Sequence, residues 1–174
     1  MKKQINRILF IFILTFYSSY GYSEIPHFLD FKYILNESKA GKKAQDFLKS
    51  SLDKGIKDLK NVENKLQEEE KKIIQQKKIL KPEEYKSKVD DLRSKVSNLQ
   101  KKRNDLLQNI SNKRSKAKSE LLKNLNPIIE EYMKEKNIRM VVDKKSLLLA
   151  DQNLDITKEI LDRLNNKLKS INLD

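Results

Sequence analysis

From about Lys42 to Lys136 the chain is one charged run with a heptad pattern, interrupted at Lys81-Pro82. Leu48, Leu52, Gly55, Leu59, Val62, Leu66, Glu69 and Ile73 alternate steps of four and three residues, which puts them on one stripe of a helix and makes that stripe a packing seam. Proline disfavours helix in the residue before it but suits the first helical position, and Glu83 and Glu84 favour a helix amino terminus. One helix therefore stops near Leu80 and a second runs back through Tyr85, Val89, Leu92, Val96, Leu99, Arg103, Leu106, Ile110 and Lys113. The register then shifts to Ala117, Leu121, Leu125, Ile128 and Tyr132. Pro127 is expected to kink this return helix. At about 1.5 Å per residue the outgoing helix spans roughly 58 Å and the return helix roughly 80 Å, so the second overshoots the first and enters whatever body carries the arm. Gly55 costs about 1 kcal/mol against alanine inside a helix, and a glutamate at residue 69 works against a tight seam. The arm is predicted to bend at these two places.

The body has to be assembled from both ends of the chain. Ile25 to Phe31 reads as a short strand, Tyr33 to Asn36 as a helical turn, and Ser38-Lys39-Ala40-Gly41 as a break before the arm. Beyond the arm, Ile138 to Asp143 and Leu147 to Ala150 are strand candidates joined by Lys144-Lys145-Ser146 as a hairpin. A last helix with the apolar stripe Ile156, Ile160, Leu161, Leu164 and Leu168 starts after Asp155, its expected cap. The division is thus a leader over 1–23, a body from 24–41 and 137–174, and a helical arm over 42–136.

The leader reading rests on Lys2, Lys3 and Arg7, then the apolar run Ile8 to Leu14, then small and polar residues to Ser23, the order of a cleaved secretory signal. Its apolar core is about 10 residues, against about 20 for a membrane-spanning helix. Cleavage after Ser23, or after Gly21, leaves 35 Lys plus Arg against 25 Asp plus Glu, a net charge of +10. The chain has no cysteine, so neither disulfides nor a lipid-modified amino terminus can stabilise or anchor it. A mature chain this short, with helices wetted on several sides, buries little apolar surface alone. An oligomer is expected, held through Phe28, Val141, Leu148 and Ile160.

Little in the residues points to catalysis. His27 is the sole histidine and reads as a strand-edge residue; with no cysteine, no zinc or nucleophile constellation can be built around it. The acidic groups Glu68-Glu69-Glu70, Glu83-Glu84 and Asp90-Asp91 read as solvated helix faces paired with lysines at four-residue spacing. No phosphate-binding glycine loop is present. No enzyme activity, cofactor or metal is expected. Basic runs such as Lys101-Lys102-Arg103 have the charge for nucleic acid, but no aromatic residues are interleaved, and export separates the chain from nucleic acid. Nucleic acid is not an expected physiological partner.

The strand ending in Phe28-Leu29-Asp30, the Ser38-Lys39-Ala40-Gly41-Lys42 break, the long hairpin, and Ile138-Arg139-Met140-Val141-Val142-Asp143 followed by Leu147-Leu148-Leu149-Ala150 and Asp155-Ile156-Thr157 resemble the Skp or OmpH family of periplasmic chaperones. The resemblance covers roughly Ile25 to Lys169. It implies a mainly α fold with a small β body, in which a long antiparallel coiled-coil hairpin is inserted between the strands of a small oligomeric β-barrel-like body. It also implies a homotrimer whose three arms enclose a cavity, and unfolded outer-membrane β-barrel proteins as clients, carried through the periplasm without ATP.

Elementary physics is compatible with such holding. The strand of an unfolded membrane barrel alternates apolar and polar residues, and many weak contacts with mobile basic arms add up once a client is enclosed. Candidate client contacts are the apolar residues near the tip, Ile73, Ile74, Ile79, Leu80 and Tyr85, whose plainer role is to pack the end of the hairpin. The positive charge would also favour anionic lipid or lipopolysaccharide surfaces. The alternative reading is a structural coiled-coil scaffold or adaptor of the cell envelope.

Overall fold

The computed structural model describes residues 25–173. The expected leader lies outside them. Strand β1 (His27–Leu29) leads into helix α1 (Phe31–Glu37), then α2 (Lys39–Gln76) and α3 (Pro82–Lys136), strand β2 (Val141–Asp143) and helix α4 (Thr157–Lys167).

The strands pair in parallel, with His27 opposite Val141, Phe28 opposite Val142 and Leu29 opposite Asp143. Parallel neighbours need a long crossover, and here the crossover is the entire arm. On its other edge β1 meets the segment before α4: Phe28 bridges Asp155, and the Ile156 amide donates to the Phe28 carbonyl at 2.9 Å.

The hairpin expected over 138–150 does not form within the chain. A tight hairpin turn needs residues that accept positive φ, and Lys144-Lys145-Ser146 supplies none. Asp143 instead accepts from the Lys145 amide at 3.2 Å and the chain turns through a short 3-10 segment, Lys144–Ser146. Residues 147–150 then run outside any strand, with Leu148 101% and Leu149 95% exposed.

The expected break before the arm shrinks to one residue. Ser38 ends α1 by donating its amide to Ile34, and caps α2 by accepting from the Gly41 amide at 3.1 Å. The arm thus begins at Lys39. Gly41 is required there because a Cβ would fall inside contact distance of the Leu35 carbonyl. At the far end Pro82 occupies the first turn of α3, with Glu83 and Glu84 beside it. Pro127 lies within α3, which continues unbroken to Lys136 and ends on Asn137 in the left-handed region (φ 54).

The main core sits where the arm enters the body. Leu121, Leu125, Ile128 and Tyr132 of α3 meet Leu29, Ile34, Ala40, Ile138, Ile156, Ile160 and Leu164. Arg163 fixes α4 to the end of α3 by a two-pronged pair with Glu135 (2.9 and 2.6 Å), its guanidinium 4.8 Å from the Tyr132 ring centre. The cap position of α4 is Ile156 and not the expected Asp155, which stands two residues before the helix and accepts from both the amide and the hydroxyl of Thr157. Two oligomer-body candidates are consequently satisfied inside one chain: Phe28 and Ile160 are buried. Val141 is half-buried against the core, and Leu148 alone of the four stands open.

Candidate functional site

The arm's surface is the candidate site, and its seam decides which side chains remain available. Leu48, Leu66 and Ile73 of α2, with Leu99, Ile110 and Ala117 of α3, are buried along it. Gly55 is a socket and not a gap: a Cβ built there would lie 2.5 Å from Leu106 Cδ1. Glu69 is likewise accommodated. Its carboxylate meets Lys95 Nζ at 2.6 Å, and Lys95 also reaches Asp91 at 2.7 Å. Asp91 and then Glu69 hold the Lys95 ammonium above the usual lysine range. Lys95 therefore takes the seam place expected of Val96, which is exposed instead. A second bridge joins Arg103 to Glu63 at 3.1 Å, and Lys60 and Arg103 together hold the Glu63 carboxyl below its ordinary range.

At the tip, the five apolar residues singled out from the sequence separate. Ile73 is 5% exposed and packs the hairpin, whereas Ile74 is 59% and Ile79 84% exposed. Leu80 and Tyr85 are half-buried. Sequence reasoning missed Ile56, Val96 and Leu107, all exposed on the arm. The available signal was that Ile56, Ile74 and Leu107 each directly follow a seam residue. Ile56 and Ile74 lie about five helical turns apart and Val96 and Leu107 about three, so each pair shares a face of its helix. Ile56 and Leu107 also line one shallow groove of about 270 Å³ between the two helices, with Arg103 and Glu63 at its rim.

His27 is partly buried at the strand edge, donating its amide to the Met140 carbonyl at 3.0 Å. Among the described residues no group of His, Asp and Glu could hold a metal ion, and no helix is long and apolar enough to cross a membrane.

The model of the OmpH family, outer membrane protein (OmpH-like), matches residues 27–164. The chain belongs to the OmpH-like family. The crystal structure of an OmpH-like protein from Caulobacter crescentus CB15 superposes with a TM-score of 0.81 at 20% identity, covering 86% of this chain and 90% of that one. No curated protein matches the sequence. The OmpH-like fold expected from the body strands and the hairpin is thus present, mainly helical with a two-stranded sheet.

Proposed function

We propose that the mature chain is an ATP-independent periplasmic holdase that binds unfolded outer-membrane β-barrel proteins and keeps them from aggregating on their way to the outer membrane. The observation that carries this reading is the set of isoleucines left open on a thin basic arm. Ile74 and Ile79 at the tip, and Ile56 farther back, remain uncovered although α2 and α3 bury Leu48, Leu66, Ile73, Leu99 and Ile110 along their seam. Such scattered apolar contacts suit a client without a fixed shape, because each is weak and their sum grows with enclosure. A role as outer membrane chaperone has itself been proposed for the Caulobacter relative.

The holding assembly is a homotrimer with a small barrel-like body. Leu148 and Leu149 support it: two adjacent leucines on an unpaired segment beside β2 offer both apolar surface and free strand edge to another copy. The chain reaches the periplasm through its cleaved leader, and the net positive charge attracts acidic clients and anionic lipid or lipopolysaccharide surfaces.

The test is light scattering after a urea-unfolded outer-membrane barrel protein is diluted into the mature chain without nucleotide. A holdase keeps scattering near its starting level; an envelope scaffold leaves aggregation as fast as in buffer.

A further inference from the structure

Residues 168–173 run back onto the arm. After α4 ends at Lys167, Leu168 turns extended (φ −123, ψ 111) and the tail returns to the root of the hairpin. There Leu173, 3% exposed, joins Ala44 and Leu48 of α2 and Ile110 and Ala117 of α3 in a cluster of its own. Ile171 packs against the same cluster and against the main core, whereas Lys169, Ser170 and Asn172 face solvent. Phe47 flanks the cluster, with Lys113 Nζ 4.9 Å from its ring centre. The tail therefore places apolar side chains two residues apart in the seam, with the intervening residue exposed.

That pattern is also the pattern of a membrane-barrel strand, where apolar and polar residues alternate. The seam has shown by its own occupant what it accepts: a segment with apolar side chains two residues apart, lying across two helices. The segment is short and lies outside any helix or strand, so its local opening costs a small fraction of unfolding the domain. A groove also lies beside the segment. Ala44, Leu48, Ile110 and Ala117 line a groove of about 670 Å³ together with Lys49 and Arg114, to which neither Ile171 nor Leu173 contributes.

We infer that the arm root is a binding surface for extended segments with apolar residues at alternate positions, and that Ile171 and Leu173 hold it as an internal stand-in which such a segment displaces. The inference rests on the holdase reading and adds to it a named surface away from the arm tip and a competitor built into the chain. It gives the empty protein a covered root, and makes binding at the root conditional on a client able to supply the same two contacts. Apparent affinity is then reduced by the fraction of time the tail occupies the seam.

The test uses the mature full-length chain, whose lack of cysteine allows one specific label. Ser170→Cys carries a fluorophore on the solvent side of the tail, leaving Ile171, Asn172 and Leu173 in place; the same label on a Leu173→Asp background marks the detached state. The probe is a ten-residue peptide of alternating leucine and serine, with a control of the same composition and its leucines in one block. We expect the alternating peptide to raise label mobility to the detached level and the control to leave it unchanged. A chain ending at Leu168 should bind the alternating peptide about tenfold more tightly. A label that stays immobile while the peptide binds, a truncated chain that binds no better, or no peptide binding at all overturns the inference. Suppressed aggregation of an unfolded barrel together with an immobile label would defeat this inference alone, whereas unsuppressed aggregation would defeat the holdase reading beneath it.

Discussion

Leu106 of α3 fills the space that a side chain at residue 55 of α2 would need, its Cδ1 only 2.5 Å from where a Cβ would stand. Gly55→Ala should therefore destabilise the arm, although alanine is the better helix former by about 1 kcal/mol. Forcing a methyl group against Leu106 costs about 1–3 kcal/mol where that side chain has no other packed position to take, which outweighs that gain. Urea unfolding followed by circular dichroism should show a lower midpoint for Gly55→Ala and partial recovery when Leu106→Val is added. A higher midpoint for the single variant would mean that the seam at this level is loose.

The same pair shows what the sequence could and could not say. A glycine on a heptad seam looks like a weak point, because the partner that occupies it lies in the other helix about fifty residues away in sequence. Glu69 misleads for the same reason: its counterpart Lys95 stands beside Val96, the residue that the apolar pattern favours, and a charge on the seam is read as a defect until its partner is found. By contrast, the start at Pro82 and the apolar stripe of α4 follow from local rules and were legible, whereas α2 ends at Gln76, about one turn before the stop expected near Leu80. The hairpin over 138–150 was misread because two apolar runs separated by three residues look alike whether or not the turn can close. Ile171 and Leu173 carried a readable alternation, but three residues are too few to distinguish a docked tail from a loose one.

Assembly can be tested at Leu148. Within one chain this side chain touches nothing that protects it, so Leu148→Asp should leave the monomer fold intact and break the oligomer. Light scattering should give about three times the chain mass for the mature protein and a smaller mass for the variant, with unchanged far-ultraviolet circular dichroism. A folded wild-type monomer at micromolar concentration would contradict the trimer. Val141 is a poorer probe, because it also packs on its own chain's core.

The Asp155 carboxylate at the start of α4 predicts a dependence on acid. Burial alone would raise the Asp155 carboxyl, but the Thr157 hydroxyl and amide, and then Lys144, outweigh it and hold the group below its ordinary value. A carboxyl depressed in the folded state adds stability that is fully present above its unfolded value of about 3.9 and disappears as pH falls through the lower folded value. Asp155→Ala should cost about 0.5–2 kcal/mol at pH 7, as losing a side-chain acceptor at a helix start does. The difference in melting temperature between wild type and variant should shrink as pH is taken from 5 to 2. A difference that persists at pH 2 would assign the effect to packing.

If capture is steered by the basic surface, salt acts mainly on the association rate. Raising salt from about 50 to about 500 mM shortens the screening length from roughly 14 to about 4 Å. Stopped-flow mixing with an unfolded barrel should show slower association and a nearly constant dissociation rate, since the apolar contacts persist. Association that ignores salt would remove the charge from the mechanism.

The account turns on the arm as the element that holds the client, and a photo-crosslinking amino acid tests that directly when placed in turn at residues 73, 74 and 79 of the mature chain. With a urea-diluted outer-membrane barrel and no nucleotide, crosslinks to the client should be strong from residues 74 and 79, which face solvent, and weak from residue 73, which is sealed in the hairpin. Equal yields from all three, or crosslinks to a folded envelope partner in place of the unfolded barrel, would contradict the account.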